Sequence, residues 1–351
     1  MGLMSGTSMD GIDAALLRTD GESITEFGPA ITRPYTADLR ERIRSVLGGQ
    51  GPVMAVSRAI TEAHAEAATA LLAEAGMKAG EVAWIGFHGH TVLHRPEKHR
   101  TWQIGDGALL AKLTGIPVVS DFRSQDVAMG GQGAPLVPLY HEALARYAGL
   151  QAPLLVLNLG GVGNVTYIGS DGTLIAFDTG PGNALIDDWM QRHTGAIRDE
   201  NGVTAASGKV DELVVAHLLE HPYFAAPPPK SLDRGDFAIA AVEDMPFADG
   251  AATLTAFTAA AVAQGLQHLP QHPTRCLVTG GGRHNATLMR MLTQALNHPV
   301  EAVETVGWRG DSLEAEAFAF LAARAVRDLP LSLPSTTGVP KPVSGGRIFH
   351  P

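Results

Sequence analysis

The segment Ala176-Phe-Asp-Thr-Gly-Pro-Gly-Asn183 puts a single carboxylate, Asp178, at the end of an apolar run and turns the chain immediately after it. A carboxylate fixed at a strand end beside a glycine turn suits a general base aimed into a cleft. The competing assignment is a cap for the helical stretch 184–191, and the residues alone leave both open. Asp187 and Asp188 follow on that stretch and read as solvated charges. A second cluster is His88, His90 and His94. Three histidines could ligate a metal, but neither an H-E-x-x-H motif nor a second ligand group accompanies them. They read instead as polar loop residues that contact a substrate, and no metal ligand is assigned. Asp121, Arg123 and Asp126 follow the apolar run 116–120. An arginine at a strand end can clamp a carboxylate through two parallel hydrogen bonds, although it can equally form a structural ion pair. Gly130-Gly-Gln-Gly-Ala-Pro135 then brings backbone close to the same region. Glu314 and Glu316 open a helical stretch, 312–325, in which Glu314 heads an apolar stripe with Ala317, Phe318 and Leu321. This predicts that Glu314 faces inward, against the alternative of simple charge complementarity at a helix N-terminus.

Three glycine turns each follow an apolar run: Gly6 to Gly11, Gly160 to Asn164 and Gly280 to Asn285. Glycines permit close approach, and clustered backbone N–H groups favour an anion such as a phosphate. One such turn is ordinary hairpin chemistry. Three at strand ends point to a nucleotide held between two lobes. The G-x-x-x-x-G-K-[ST] sequence is absent, which argues against a Walker-type ATPase.

The elements that must position these residues alternate between strand and helix. Helical patterns cover 39–47, 55–75, 106–114, 134–147 and 286–296, the last capped by Asn285. Apolar strand patterns cover 84–87, 116–120, 154–159 and 276–279. The alternation implies an α/β fold with largely parallel connections. The opening strand–glycine turn–strand is echoed after Leu154, which predicts two related lobes. The Pro-rich stretch 225–231 reads as a surface connection, and the tail after Leu329 as irregular structure. With 45% hydrophobic and 18% charged residues over 351 positions, the chain can bury two cores. Its net charge of −10 argues against nucleic acid or an acidic membrane as partner. The single cysteine, Cys276, lies in an apolar run and reads as core, so neither a disulfide framework nor a cysteine-based zinc site is expected. There is no leader pattern or membrane-length apolar run, so a soluble cytoplasmic protein is expected.

Taken together, the motifs resemble the anhydro-N-acetylmuramic acid kinase family. They are Met4-Ser-Gly-Thr-Ser-Met-Asp-Gly-Ile-Asp13, His88-Gly-His-Thr-Val-Leu-His-Arg-Pro96, Gln103-Ile-Gly-Asp106, Asp121-Phe-Arg123, Gly130-Gly-Gln-Gly-Ala-Pro-Leu-Val-Pro138, Asn158-Leu-Gly-Gly161, Phe177-Asp-Thr-Gly-Pro-Gly-Asn183, Pro228-Pro-Lys-Ser231 and Thr279-Gly-Gly-Gly282. They follow the family's order over essentially the whole chain. The resemblance implies a two-lobed actin-like ATPase (ribonuclease H-like) fold with an inter-lobe ATP/sugar cleft. It implies an N-terminal lobe of residues 1–130, completed by 331–351, and a C-terminal lobe of 131–330. The implied activity converts 1,6-anhydro-N-acetylmuramic acid, ATP and water to N-acetylmuramic acid 6-phosphate and ADP in peptidoglycan recycling. Asp178 resembles the base that activates water, and Glu314 matches a second acidic position that assists. Gly6, Thr7, Ser8, Met9, Asp10, Gly11, Ile12 and Asp13 resemble the ATP phosphate turn. Gly160, Gly161, Gly280, Gly281 and Gly282 are the further nucleotide contacts. His88, Asp121 and Arg123 resemble sugar-side residues, with Arg123 meeting the lactyl carboxylate. Mg2+ is implied as the partner of ATP, and a homodimer is compatible with the resemblance.

Two positions depart from the family pattern: His90 replaces a usual Gln, and Leu232-Asp233 replaces Thr-Gly after Pro-Pro-Lys-Ser. Only three residues precede Met4, which predicts a short first strand. Two other activities use the same fold, a kinase for another anhydrosugar such as levoglucosan and a nonenzymatic actin-like ATP-binding module. Arg123 argues against the first, because levoglucosan has no carboxylate. Asp178 in its glycine turn argues against the second.

Overall fold

The computed structural model describes residues 1–351 apart from Thr7, Ser8 and Asp233. The chain packs as two compact units, Met1–Gly149 with Asp311–Pro351, and Leu150–Gly310. The first unit contains strands β1 (Gly2–Met4), β2 (Gly11–Thr19), β3 (Ile24–Pro34), β4 (Ile85–Phe87), β5 (His90–Arg95), β6 (Arg100–Ile104) and β7 (Val118–Ser120). The second contains β8 (Leu154–Leu159), β9 (Val162–Ile168), β10 (Leu174–Pro181), β11 (Arg275–Thr279) and β12 (Val300–Ala302). The chain then returns to the first unit for β13 (Arg347–Phe349).

The sheet of the first unit has the order β13-β7-β4-β1-β2-β3, with β5 and β6 forming a separate hairpin. Strands β1, β2 and β3 pair antiparallel, whereas β4 is parallel to β1 and β7 is parallel to β4. The second sheet has the order β10-β9-β8-β11-β12, with β8, β9 and β10 antiparallel and β11 and β12 parallel to β8. Counted from its own first strand, each sheet therefore runs third, second, first, fourth, fifth with the same strand senses, and the first adds β13 beyond its fifth. This is the ribonuclease H-like arrangement, present twice, as in actin-like ATPases. The internal echo in the sequence is the hairpin that starts each sheet: β1 with β2, and β8 with β9.

Burial explains the strands. Leu154, Leu155, Val156 and Leu157 are all buried because β8 is the central strand of its sheet, between β9 and β11, and Leu155 and Leu157 pack with Val262, Leu288 and Leu292. Cys276 is buried beside them in β11, as expected. In the first unit, the helix Leu313–Val326 packs on β1, β2 and β4. The approach is so close that a Cβ at Gly86 would overlap the Phe318 carbonyl. This packing, and that of the helix Pro138–Tyr147 on β3, places both helices in the first unit. The unit boundaries thus fall at 149/150 and 310/311, against the 130/131 and 330/331 implied by the resemblance.

Local expectations change in three places. The helix expected over 134–147 begins at Pro138, which suits proline in a first turn. The glycine turn after β8 is only Gly160-Gly161, because Gly163 and Asn164 belong to β9. The tail is not wholly irregular: it forms a short helix, Pro334–Thr337, and β13, which pairs with β7. β1 is the predicted short strand, in register Met4 to Asp13 with β2. Among the described residues, no helix is long and apolar enough to cross a membrane.

Candidate active site

Asp178 lies in β10 where a bulge between Asp178 and Gly180 shifts the register with β9. Backbone surrounds it. Its N–H donates to the Lys230 carbonyl (3.0 Å), Leu232 N–H donates to its Oδ2 (2.8 Å), and the Tyr223 hydroxyl donates to its carbonyl (2.5 Å). Burial pushes the carboxyl up to about 7, with the Leu232 N–H pulling weakly the other way. The side chain caps nothing, which removes the competing assignment: Asn183 occupies the N-cap position of the helix Ala184–Thr194. A buried carboxyl poised near neutrality is well matched to accept a proton.

The segment 228–232 overturns the expectation of a surface connection, since its backbone forms one wall around Asp178. Lys230 secures it by donating from Nζ to the carbonyls of Tyr223 (2.9 Å) and Phe224 (3.3 Å), with Nζ 4.6 Å from the Tyr223 ring centre. Burial lowers the Lys230 pKa to about 8. Sequence reasoning missed Tyr223 altogether. Its only signal was proximity to the Pro-Pro-Lys-Ser motif.

Two glycine turns of the second unit meet at neighbouring strand ends. β8 and β11 run parallel with Asn158 opposite Thr279, so Gly160-Gly161 and Gly280–Gly282 leave the sheet side by side. Asn183 Nδ2 donates to the carbonyls of Leu159 (2.8 Å) and Gly160 (3.1 Å), tying the first turn to the segment that follows Asp178. Gly280 has φ 77°, and a Cβ there would overlap Asn158 and Leu159, so only glycine fits. Arg283 fixes this turn, donating from Nη1 to the Gly280 carbonyl (2.9 Å) and from Nε to Glu304 (2.8 Å). Asn285 caps the helix Ala286–Leu296 as predicted, accepting from Leu288 N–H at 2.9 Å.

The first unit holds the remaining candidates. His88 Nε2 lies 3.2 Å from Arg123 Nε and 3.1 Å from Nη2, and its Nδ1 lies 3.0 Å from the Gly89 carbonyl. Burial, reinforced by the Arg123 charge, drives the His88 pKa well down. The ring is therefore neutral, with Nδ1 protonated and Nε2 accepting. Arg123 Nη1 also donates to the Gly133 carbonyl (2.7 Å). A guanidinium has five N–H groups, so two remain for a ligand. Asp126 shapes the adjoining loop, accepting from Gly133 N–H (2.6 Å) and the Thr337 hydroxyl (2.6 Å). Asp121 follows β7 with φ 60°, a turn conformation uncommon outside glycine.

Glu314 is half-buried at the start of its helix, close enough to Arg123 to favour its charge and to Asp13 to disfavour one there. The fully inward carboxylate of that helix is Glu316, which accepts from the Tyr140 hydroxyl at 2.6 Å. Asp188 is exposed as expected, but Asp187 is half-buried and its carboxyl is pushed up to about 7, chiefly by burial.

In the turn between β1 and β2, Met9 N–H donates to the Gly6 carbonyl (3.1 Å) and Met9 has φ 55°. Asp10 is exposed, and its carboxylate accepts from Gly11 N–H (3.0 Å). Ile12 is a core residue, leaving only its backbone for a ligand. Asp13 accepts from the Thr32 hydroxyl (2.5 Å). Its carboxyl is raised to about 6, first by burial and then by the charges of Asp10, Glu314 and Asp311. Thr7 and Ser8, predicted in this turn, lie outside the described residues, as does Asp233. Among the described residues no three of His, Cys, Asp and Glu group to hold a metal. His94 instead bonds Thr101 across the β5–β6 hairpin (3.0 Å), and His90 is buried in the protein interior.

The family model for anhydro-N-acetylmuramic acid kinase matches residues 1–351. The chain belongs to this family. Relatives named anhydro-N-acetylmuramic acid kinase include one from Paramagnetospirillum magneticum, 58% identical over 100% of this chain and 99% of that one. Another, from Rhodospirillum rubrum, is 55% identical over 99% of this chain and 93% of that one. A solved xylulose kinase from Lactobacillus acidophilus aligns over 100% of this chain and 93% of that one at 11% identity, with a TM-score of 0.46.

Proposed function

We propose that this family member is the ATP-dependent kinase that opens 1,6-anhydro-N-acetylmuramic acid with water and phosphorylates O6. The products are N-acetylmuramic acid 6-phosphate and ADP, the chemistry of peptidoglycan recycling in an ATP-containing cytoplasm. Beyond family membership, the observation that carries the mechanism is Asp178, a buried carboxyl ringed by backbone contacts and pushed up to about 7 by burial.

Asp178 accepts a proton from water as the water oxygen bonds to the anomeric carbon. The bond from that carbon to O6 breaks, and the electron pair stays on O6. O6 then bonds to the γ-phosphorus of ATP as the bond to the β-phosphate oxygen breaks and ADP leaves. The turns at Gly160-Gly161 and Gly280–Gly282 offer backbone N–H groups to the nucleotide, and the Gly6–Asp13 turn is its phosphate turn. His88, Asp121 and Arg123 hold the sugar, the two remaining Arg123 N–H groups meeting its lactyl carboxylate. Glu314 assists as a second carboxylate. Asp10 and Asp13 fit Mg2+: they are oxygen donors, and the charges crowding Asp13 are those a cation relieves. Bound there with ATP, Mg2+ would neutralise phosphate charge.

A coupled ADP-release assay tests this with 1,6-anhydro-N-acetylmuramic acid, N-acetylmuramic acid and levoglucosan. The anhydromuramic acid should drive ADP release. A rate no higher than with ATP alone would overturn the assignment, and preference for levoglucosan would move the substrate class.

A further inference from the structure

His90 takes no part in the chemistry above, yet it is completely buried. Its Nδ1 lies 3.0 Å from Ser5 Oγ, and the same oxygen accepts from the Tyr35 hydroxyl at 2.8 Å. Tyr35 also donates its N–H to the Asp10 carbonyl at 3.0 Å. One tyrosine thus holds both ends of the nucleotide turn, Ser5 at the entrance and Asp10 at the exit. Tyr35 packs in an apolar cluster with Ile12, Ile43, Val92 and Ile104, so these hydrogen bonds sit where water cannot replace them. Burial lowers the His90 pKa to about 4, so the bond to Ser5 involves a neutral ring at physiological pH. Two residues before His90, His88 receives the Arg123 guanidinium. The segment 88–90 therefore touches the nucleotide turn at one end and the sugar-side cluster at the other, all within one unit.

We propose that the Tyr35–Ser5–His90 hydrogen-bond chain is a positioning device that couples the nucleotide turn to the His88–Arg123 cluster, so that binding of either substrate strengthens binding of the other. The proposal rests on the assignment of nucleotide and sugar to these two regions. Coupling of this kind is reciprocal: each ligand must change the other's affinity by the same factor.

The test uses the full chain and calorimetric titration with a non-hydrolysable ATP analogue, with and without 1,6-anhydro-N-acetylmuramic acid, and the converse. The wild type should show about fivefold or greater mutual enhancement. Ser5→Ala and His90→Leu should each reduce it below about twofold, and the double variant should be no worse than either single one. His90→Gln, whose amide can reach the same hydroxyl, should restore most of it. If His90→Leu does not fold, Ser5→Ala deletes the same bond and leaves His90 in place. Undiminished enhancement in Ser5→Ala, or additive losses in the double variant, would overturn the proposal. So would variants that lower the melting temperature and leave the coupling intact. Failure of the functional assignment is separable, because it appears as absence of sugar-dependent ADP release in the wild type.

Discussion

Asp178 in the second unit and His88 in the first are both buried, polar and close to backbone, and burial drives their titrations in opposite directions. Desolvation always disfavours the charged form. For Asp178 this raises the carboxyl to about 7, making it a base that can take up a proton near neutrality. For His88 it lowers the ring far below its usual range, so the ring stays neutral and serves as a fixed acceptor for Arg123. Removing water therefore makes a proton acceptor in one region and a rigid anchor in the other. The difference lies in which protonation state carries charge, not in how deeply each group is placed.

The comparison can be broken most forcefully at Asp178. Asp178→Asn should lower kcat by about 10^2- to 10^4-fold, the usual worth of a general base, with nucleotide binding unchanged in titrations. Arg123→Met should raise KM for 1,6-anhydro-N-acetylmuramic acid about 10- to 100-fold through loss of charge-assisted hydrogen bonds. Turnover of levoglucosan, which has no carboxylate, should not fall in parallel. The pH profile sharpens the contrast: kcat should drop about tenfold per unit below about pH 7 as Asp178 is protonated. No histidine limb should appear from His88.

The same titration enters folding stability. The raised carboxyl binds its proton more tightly in the folded than in the unfolded chain between about pH 4 and 7. Stability therefore falls as pH rises through that window. Asp178→Asn should accordingly melt at a higher temperature than wild type at pH 8, with the gap narrowing toward pH 4. The smallest effect belongs to Tyr223→Phe, which removes only the hydroxyl donated to the Asp178 carbonyl. It should cost about 2- to 12-fold in kcat with KM little changed.

Much of the candidate site's local geometry was legible in the sequence because local signals sufficed. A carboxylate before Gly-Pro-Gly, glycine turns after apolar strands and Asn285 before a helical run all depend on neighbours along the chain. The fold class followed from alternating strand and helix patterns. Misreadings clustered where long-range contacts override local character. The segment 225–231 has a surface composition, yet Lys230 and Leu232 reach Asp178 from about fifty residues away. His90 looks like a second polar loop residue beside His88, and only Ser5, eighty-five positions distant, makes it a core tether. The helix Leu313–Val326 is local as a helix, but its membership in the first unit depends on packing against β1, β2 and β4.

The sequence by itself determined which groups the candidate site offers: one carboxylate in a glycine turn, backbone-rich turns, an arginine after a strand and the order of elements that carries them. Those properties are written in residue type and spacing of a few positions. The tertiary structure alone decided how each group behaves. Desolvation and hydrogen-bond partners come from chain segments remote in sequence, and they set whether a carboxyl titrates near 4 or near 7 and whether a histidine is an acid, a ligand or an anchor.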